Sequence, residues 1–128
     1  MTVRTINFDA MRLRWQRHII RWGNGATFIL RRSATPDLPV IAAVIAYSPK
    51  ERQGAPINPE DEKAIISALA PDGSLLSREP DRERDTLIAL DPADGETVLY
   101  RYRMTAKPQR EASTNAKDTV LWTVSVRK

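Results

Sequence analysis

The chain contains no cysteine and a single histidine, and these two absences remove most of the familiar catalytic chemistry. Without Cys there is no disulfide framework, no thiolate nucleophile and no Cys-ligated metal, so a reducing compartment is permitted. His18 sits among arginines and has no second histidine with which to form a metal site. Long apolar runs are missing too: the longest, Val40 to Tyr47, falls far short of the ~20 residues that cross a bilayer. Met1 to Asp9 lack a basic patch followed by an apolar stretch, so no secretory signal is expected and the chain reads as soluble and intracellular. Internal repeats and low-complexity tracts are absent as well.

What is present suffices for one compact domain. The 128 residues are 41% hydrophobic and 28% charged, too apolar for a disordered tail. The net charge of +4 hides an uneven layout. Residues 1–32 carry seven arginines against Asp9 alone, for +6; residues 33–95 sum to -6; residues 96–128 return to +4. A basic, acidic, basic chain can attract phosphate or a second copy of itself.

Phe8, Met11, Trp15, Ile19 and Trp22 recur at spacings of three and four, which predicts a helix over 7–22 with one apolar stripe. Asn7 suits its N-cap, and Gly23, Asn24 and Gly25 supply the stop. Arg14, Arg17, His18 and Arg21 gather on a neighbouring face, and Leu13 and Ile20 fall on a third. That third face either extends the core contact or docks a neighbouring subunit. Beyond the helix the pattern changes to short β-rich runs. Strands are expected at Ala26–Arg32, Val40–Tyr47, Lys63–Leu69, Asp85–Leu90, Thr97–Thr105 and Asp118–Arg127, although the alanines of the third leave a helical turn open. Turns are expected at Thr35–Pro39 and Asp91–Gly95. In the fifth strand Val98, Tyr100 and Tyr102 should share one face, with Leu99, Arg101 and Arg103 on the other. In the sixth, Val120, Trp122, Val124 and Val126 should point inward, and Thr119, Leu121, Thr123 and Ser125 outward. The fold class is therefore mainly β: a small antiparallel barrel or sandwich of about six strands with an N-terminal helix and long loops.

Three connections are long for such a domain: Ser48 to Glu62, Ala70 to Arg84 and Ala106 to Lys117. Pro49, Gly54, Pro56 and Pro59 should exclude any regular element from the first, which is expected to project from the body. Catalytic groups do not assemble. Asp81, Glu83 and Asp85 alternate with Arg82 and Arg84, and Asp91, Asp94 and Glu96 crowd a turn, but neither run matches a calcium loop. Gly23-Asn24-Gly25 leads out of a helix, the reverse of a phosphate loop. No enzyme activity, metal or cofactor is expected. Arginines interleaved with Trp15, Trp22, Tyr100 and Tyr102 would suit a single-strand nucleic-acid-binding barrel, but the tryptophans lie on the apolar stripe and the tyrosines share the face of Val98. Arginine contact with phosphate remains, and it reads no sequence.

The element order carries a further signal. A helix ends at Trp22-Gly23-Asn24-Gly25 and a strand with a basic end follows, Ala26 to Arg32; Ala42 to Tyr47 then lead into the Gly-containing loop Ser48 to Asp61. Lys63 to Ala68, Asp85 to Ile88, the Asp94-Gly95 turn and a final Val124-Ser125-Val126-Arg127 complete the pattern. This order resembles the small head-closure or head–tail connector proteins of tailed bacteriophages, often called stoppers, over most of the chain. Leu99-Tyr100-Arg101-Tyr102-Arg103 is more charged than the corresponding stretch in that family. The resemblance implies a virion protein assembled in the host cytoplasm and placed at the neck. It would form a homo-oligomeric ring beneath the portal and adaptor, retain double-stranded DNA without reading it, and dock a tail terminator or tail below, with no membrane involved. It also implies that the loop reaches the DNA channel with Lys50, Arg52, Gln53 and Gly54. A tail-terminator or adaptor ring of the same neck is the nearest alternative. A head-to-tail ring brings two different faces together, and Leu13, Arg14, Arg17, Ile20 and Arg21 against Asp81 and Glu83 are the expected pair.

Overall fold

A computed structural model describes residues 7–23, 27–54, 58–111 and 119–128. Helix α1 (Phe8–Trp22) starts where expected, with the Asn7 side chain accepting from the Ala10 N–H at 3.1 Å and Asp9 at the positive end of the helix dipole. It ends at Gly23, which is right-handed at φ -75° and donates to the Ile19 carbonyl. The glycine is needed there for space. A Cβ on Gly23 would lie 2.8 Å from the carbonyl oxygen of Ala42, in the strand beneath the helix end. Asn24, Gly25 and Ala26 lie outside the described residues.

Eight strands follow among the described residues: β1 (Thr27–Arg32), β2 (Thr35–Val40), β3 (Ala42–Ile45), β4 (Glu62–Ser67), β5 (Thr86–Leu90), β6 (Val98–Met104), β7 (Gln109–Glu111) and β8 (Leu121–Arg127). They form one antiparallel sheet in the order β2-β1-β5-β6-β8-β4-β3, with β7 paired to β8 beside that path. The fold is mainly β, as its alternating runs predict, with two strands more than expected. The sheet is not closed into a barrel. β6 and β8 share only the pairs Arg103–Arg127 and Met104–Val126, so the sheet folds there into two halves. Phe28, Leu30, Leu87, Ala89, Tyr102 and Met104 from one half meet Ala64, Ile66, Trp122, Val124 and Val126 from the other in the main core.

Several sequence expectations need correction. Thr35–Pro39 is not a turn but most of β2; the turn is the pair Ser33-Ala34, with Ala34 at φ 58°. Pro36 and Pro39 are tolerated because β2 is an edge strand, paired with β1 alone. The apolar run Val40–Tyr47 is not one strand: Val40 ends β2, Ile41 turns the corner, and β3 begins at Ala42. β7 lies within what reads as the third long loop. A bulge sets Leu90 opposite Val98 but Ala89 opposite Tyr100. Val98 therefore packs with Ile29, Ile88 and Leu90 on the other face of the sheet from Tyr102. Leu121 and Thr119, expected outward, are buried. Leu121 lies under α1 with Ile19, Ala43 and Ile65, so that face of β8 is a second core rather than a solvated one.

Helix α1 is held over β3 and β4 by polar bonds as well as by Ile19. The buried Arg12 donates from Nε to the Thr119 carbonyl at 2.9 Å, and Gln16 donates to the Ala70 carbonyl at 3.1 Å. We predict that Gly23→Ala destabilises the protein by about 1–3 kcal/mol, because backbone faces the added methyl on both sides and neither can yield cheaply. Urea denaturation followed by far-UV circular dichroism would check this, with a lower midpoint and an unchanged slope expected.

Candidate functional site

The outward side of α1 carries the feature that the fold leaves unexplained. Ile19 is fully buried, yet Leu13 and Ile20 are 48% and 46% exposed. They do not extend the core contact. Arg14, Arg17 and Arg21 are exposed, and no carboxylate among the described residues pairs with them. The structure thus brings Leu13, Arg14, Arg17, Ile20 and Arg21 onto one helix with solvent before them. Trp22 departs from its expected place, being 44% exposed. Its ring stacks on His18 and touches Trp15, and with Met11 the two tryptophans wall a groove of about 450 Å³ whose far side is Glu111, Leu121 and Thr123.

The acidic segment expected to face this helix is occupied otherwise. Asp85 is buried and receives Arg32 on both oxygens, at 3.1 and 3.0 Å, and Arg78 at 3.1 Å. The Asp81 carboxylate accepts the backbone N–H groups of Glu83 and Arg84, which hold its pKa below the ordinary range. Glu79 grips Arg110 through two 2.8 Å bonds. Glu83 is exposed, with exposed Arg82 and Arg84 beside it. No ion pair joins Asp81 or Glu83 to α1 among the described residues.

The expected channel loop has a regular element after all. Helix α2 (Pro49–Gly54) opens with a reciprocal cap, in which the Ser48 N–H donates to Glu51 Oε1 and the Glu51 N–H donates to Ser48 Oγ. Pro49 does not break this helix, because the first helical position needs no N–H. Ser48 followed by Glu51 was the available signal, and the prolines and glycine obscured it. Lys63 reaches back from β4 to Glu51 at 2.7 Å. Arg52 turns inward to the carbonyls of Asn58 and Asp61, while Lys50 and Gln53 stay exposed and Gly54 ends the helix. Residues 55–57 lie outside the described ones. The lower half of this segment is therefore clamped to the sheet.

Other functional chemistry is sparse. Among the described residues no three His, Asp or Glu side chains converge as metal ligands, and no helix is long and apolar enough to cross a membrane. Asp61, buried between Arg127 at 2.8 Å and the Thr105 hydroxyl at 3.2 Å, ties the end of β8 to the start of β4.

The Glu51 carboxyl is lowered from 4.5 to about 2, first by the Lys63 ammonium and then by the Ser48 N–H. A depressed value in the folded state makes this contribution complete above pH 4.5 and lost as the pH falls through about 2. The pair is partly solvated, so Glu51→Gln should cost only about 0.5 kcal/mol at pH 7, or ~2–3 °C in Tm. Calorimetry across pH 2–7 should show the gap between wild type and variant closing at the acid end; a constant gap would refute the assignment. No family model matches the chain, and no curated protein or solved structure matches it either.

Proposed function

We propose that the chain is a non-enzymatic structural subunit of a tailed-phage neck, a head-closure protein that forms a ring below the portal and adaptor, retains packaged DNA and docks the tail. The observation that carries this reading is the double-faced helix α1. One face is fixed to the sheet by Ile19, Arg12 and Gln16. The other presents Leu13 and Ile20 among arginines that have no ion pair among the described residues. A helix used only to cover a sheet needs no second apolar face, and a ring subunit does. The resemblance in element order supports the same reading. Lys50 and Gln53, exposed polar side chains of α2, are the groups this protein would offer to DNA in the channel.

Free single-strand binding draws less support. Tyr100 is half exposed, but the Lys128 ammonium sits 4.3 Å over its ring, and Trp22 already stacks on His18. Neither ring is an open platform for a base.

Particles assembled without this chain should fill with DNA, leak it and fail to acquire tails. Heads that keep DNA and take tails in its absence would overturn the proposal. Removing residues 53–58 should give particles that package and then lose DNA, measured as nuclease-sensitive genome in purified heads. DNA retained by those particles would show that this segment is not the plug.

A further inference from the structure

A head-to-tail ring needs an acidic surface to receive α1, and the structure supplies one at a place other than Asp81 and Glu83. Within 79–85, Glu79 and Asp85 are bound by arginines, Asp81 caps its own turn, and Arg82 and Arg84 offset the rest. The turn between β5 and β6 is likewise capped by its own Asp91 and Asp94, but it differs in its charges. Asp91, Asp94 and Glu96 stand there with no Lys or Arg between residues 91 and 97, and none of the three forms an ion pair among the described residues. Asp94 is held down to about 2 by the Thr97 hydroxyl and the Glu96 N–H, so it stays charged through the whole neutral and mildly acid range.

This turn also has an apolar companion. Leu99, the residue the bulge inserts into β6, is 48% exposed. Among the described residues the large exposed apolar side chains are Leu13, Ile20 and Trp22 on α1, Leu99 and Tyr100 on β6, and Leu75. They concentrate beside the unpaired arginines and after the unpaired carboxylates. Contact of α1 with α1 would set three arginines against three, which is repulsive, so the complement must be a different face.

We propose that α1 of one copy docks on the β5–β6 turn of the next, with Arg14, Arg17 and Arg21 facing Asp91, Asp94 and Glu96, and Leu13 and Ile20 covering Leu99. This deepens the ring reading above and rests on it. The contact is heterologous, so it propagates from subunit to subunit and closes when the rotation permits.

The test uses two charge-reversed versions of the full chain. Arg14→Glu, Arg17→Glu and Arg21→Glu together change the helix row from +3 to -3. Asp91→Asn, Ala93→Lys, Asp94→Asn and Glu96→Lys change the turn from -3 to +2 while keeping the Oδ1 acceptors of the turn. Circular dichroism checks that both fold. In sedimentation velocity at low salt, wild type should self-associate, and each variant alone should do so at least roughly tenfold more weakly. An equimolar mixture should recover to within about threefold of wild type, because each reversed face then meets an opposite one. Variants that associate like wild type, a mixture that does not recover, or a wild type monomeric up to about 1 mM would each overturn the contact. Loss of duplex DNA binding in the helix variant with self-association unchanged would assign the arginines to DNA and overturn it as well. The leakage of heads lacking the chain is a separate readout, so this contact can fail while the neck reading stands.

Discussion

Ile41 is the only residue between the two outermost strands of the sheet. β2 ends at Val40 and β3 begins at Ala42, yet they stand at opposite ends of a path seven strands wide. Laid flat, that path would separate its edges by about 29 Å, at ~4.8 Å per strand. One intervening residue holds them within about 7.6 Å, two Cα steps. The sheet must therefore fold over. That fold-over places Val40 and Ala42 in the same core, gives two facing halves, and leaves the joint between β6 and β8 only two residue pairs long. The end of the helix lies against the same corner, so close to the Ala42 carbonyl that only glycine fits at position 23. The sheet edges need little defence where β2 carries Pro36 and Pro39 and where Gly23 closes on β3.

Much of this was legible in the sequence, and the failures have identifiable causes. Helix α1 was readable because its period, its Asn7 cap and its Gly23 stop agree. The β5–β6 hairpin was readable from Asp94-Gly95, with Gly95 at φ 68° as such a turn requires. The β1–β2 hairpin was not, since Ser33-Ala34 is no customary turn pair and two prolines obscure the strand that follows. The Val40–Tyr47 run could not reveal its corner, because a residue that is buried on either side of a bend looks like one buried in a strand. The bulge at Leu99 inverted the faces of β6 by one residue, a shift that alternation cannot signal. Leu121 read as outward because period two knows nothing of a helix laid over that face.

The candidate site was half legible, for electrostatic reasons. Composition counted Arg12 with Arg14, Arg17 and Arg21, although Arg12 is buried against Thr119 and is part of the scaffold. Counting likewise joined Asp81, Glu83 and Asp85 into one acidic block, although Asp85, like the neighbouring Glu79, is matched by arginine inside the fold. Arg32 comes from β1 and Arg110 from β7. A charge is offered to a partner only after the fold has matched those it uses internally, and this matching is a tertiary property. After it, the arginines of α1 and the carboxylates of the β5–β6 turn are among the charges left without an ion pair among the described residues.

The proposed contact is small, and its size shapes how a ring of such subunits would form. Leu13, Ile20 and Leu99 are each already about half buried, so covering the remainder adds roughly 1 kcal/mol apiece at most. Exposed ion pairs add ~0.2–1 kcal/mol each and weaken as salt rises. One such contact barely offsets the cost of bringing two molecules together. Ring closure changes the balance, since the last subunit makes two contacts while losing its freedom once. Subunits held by weak, charge-guided contacts associate only at high concentration and low salt until a platform gathers them, and then lock together in one orientation because like faces repel.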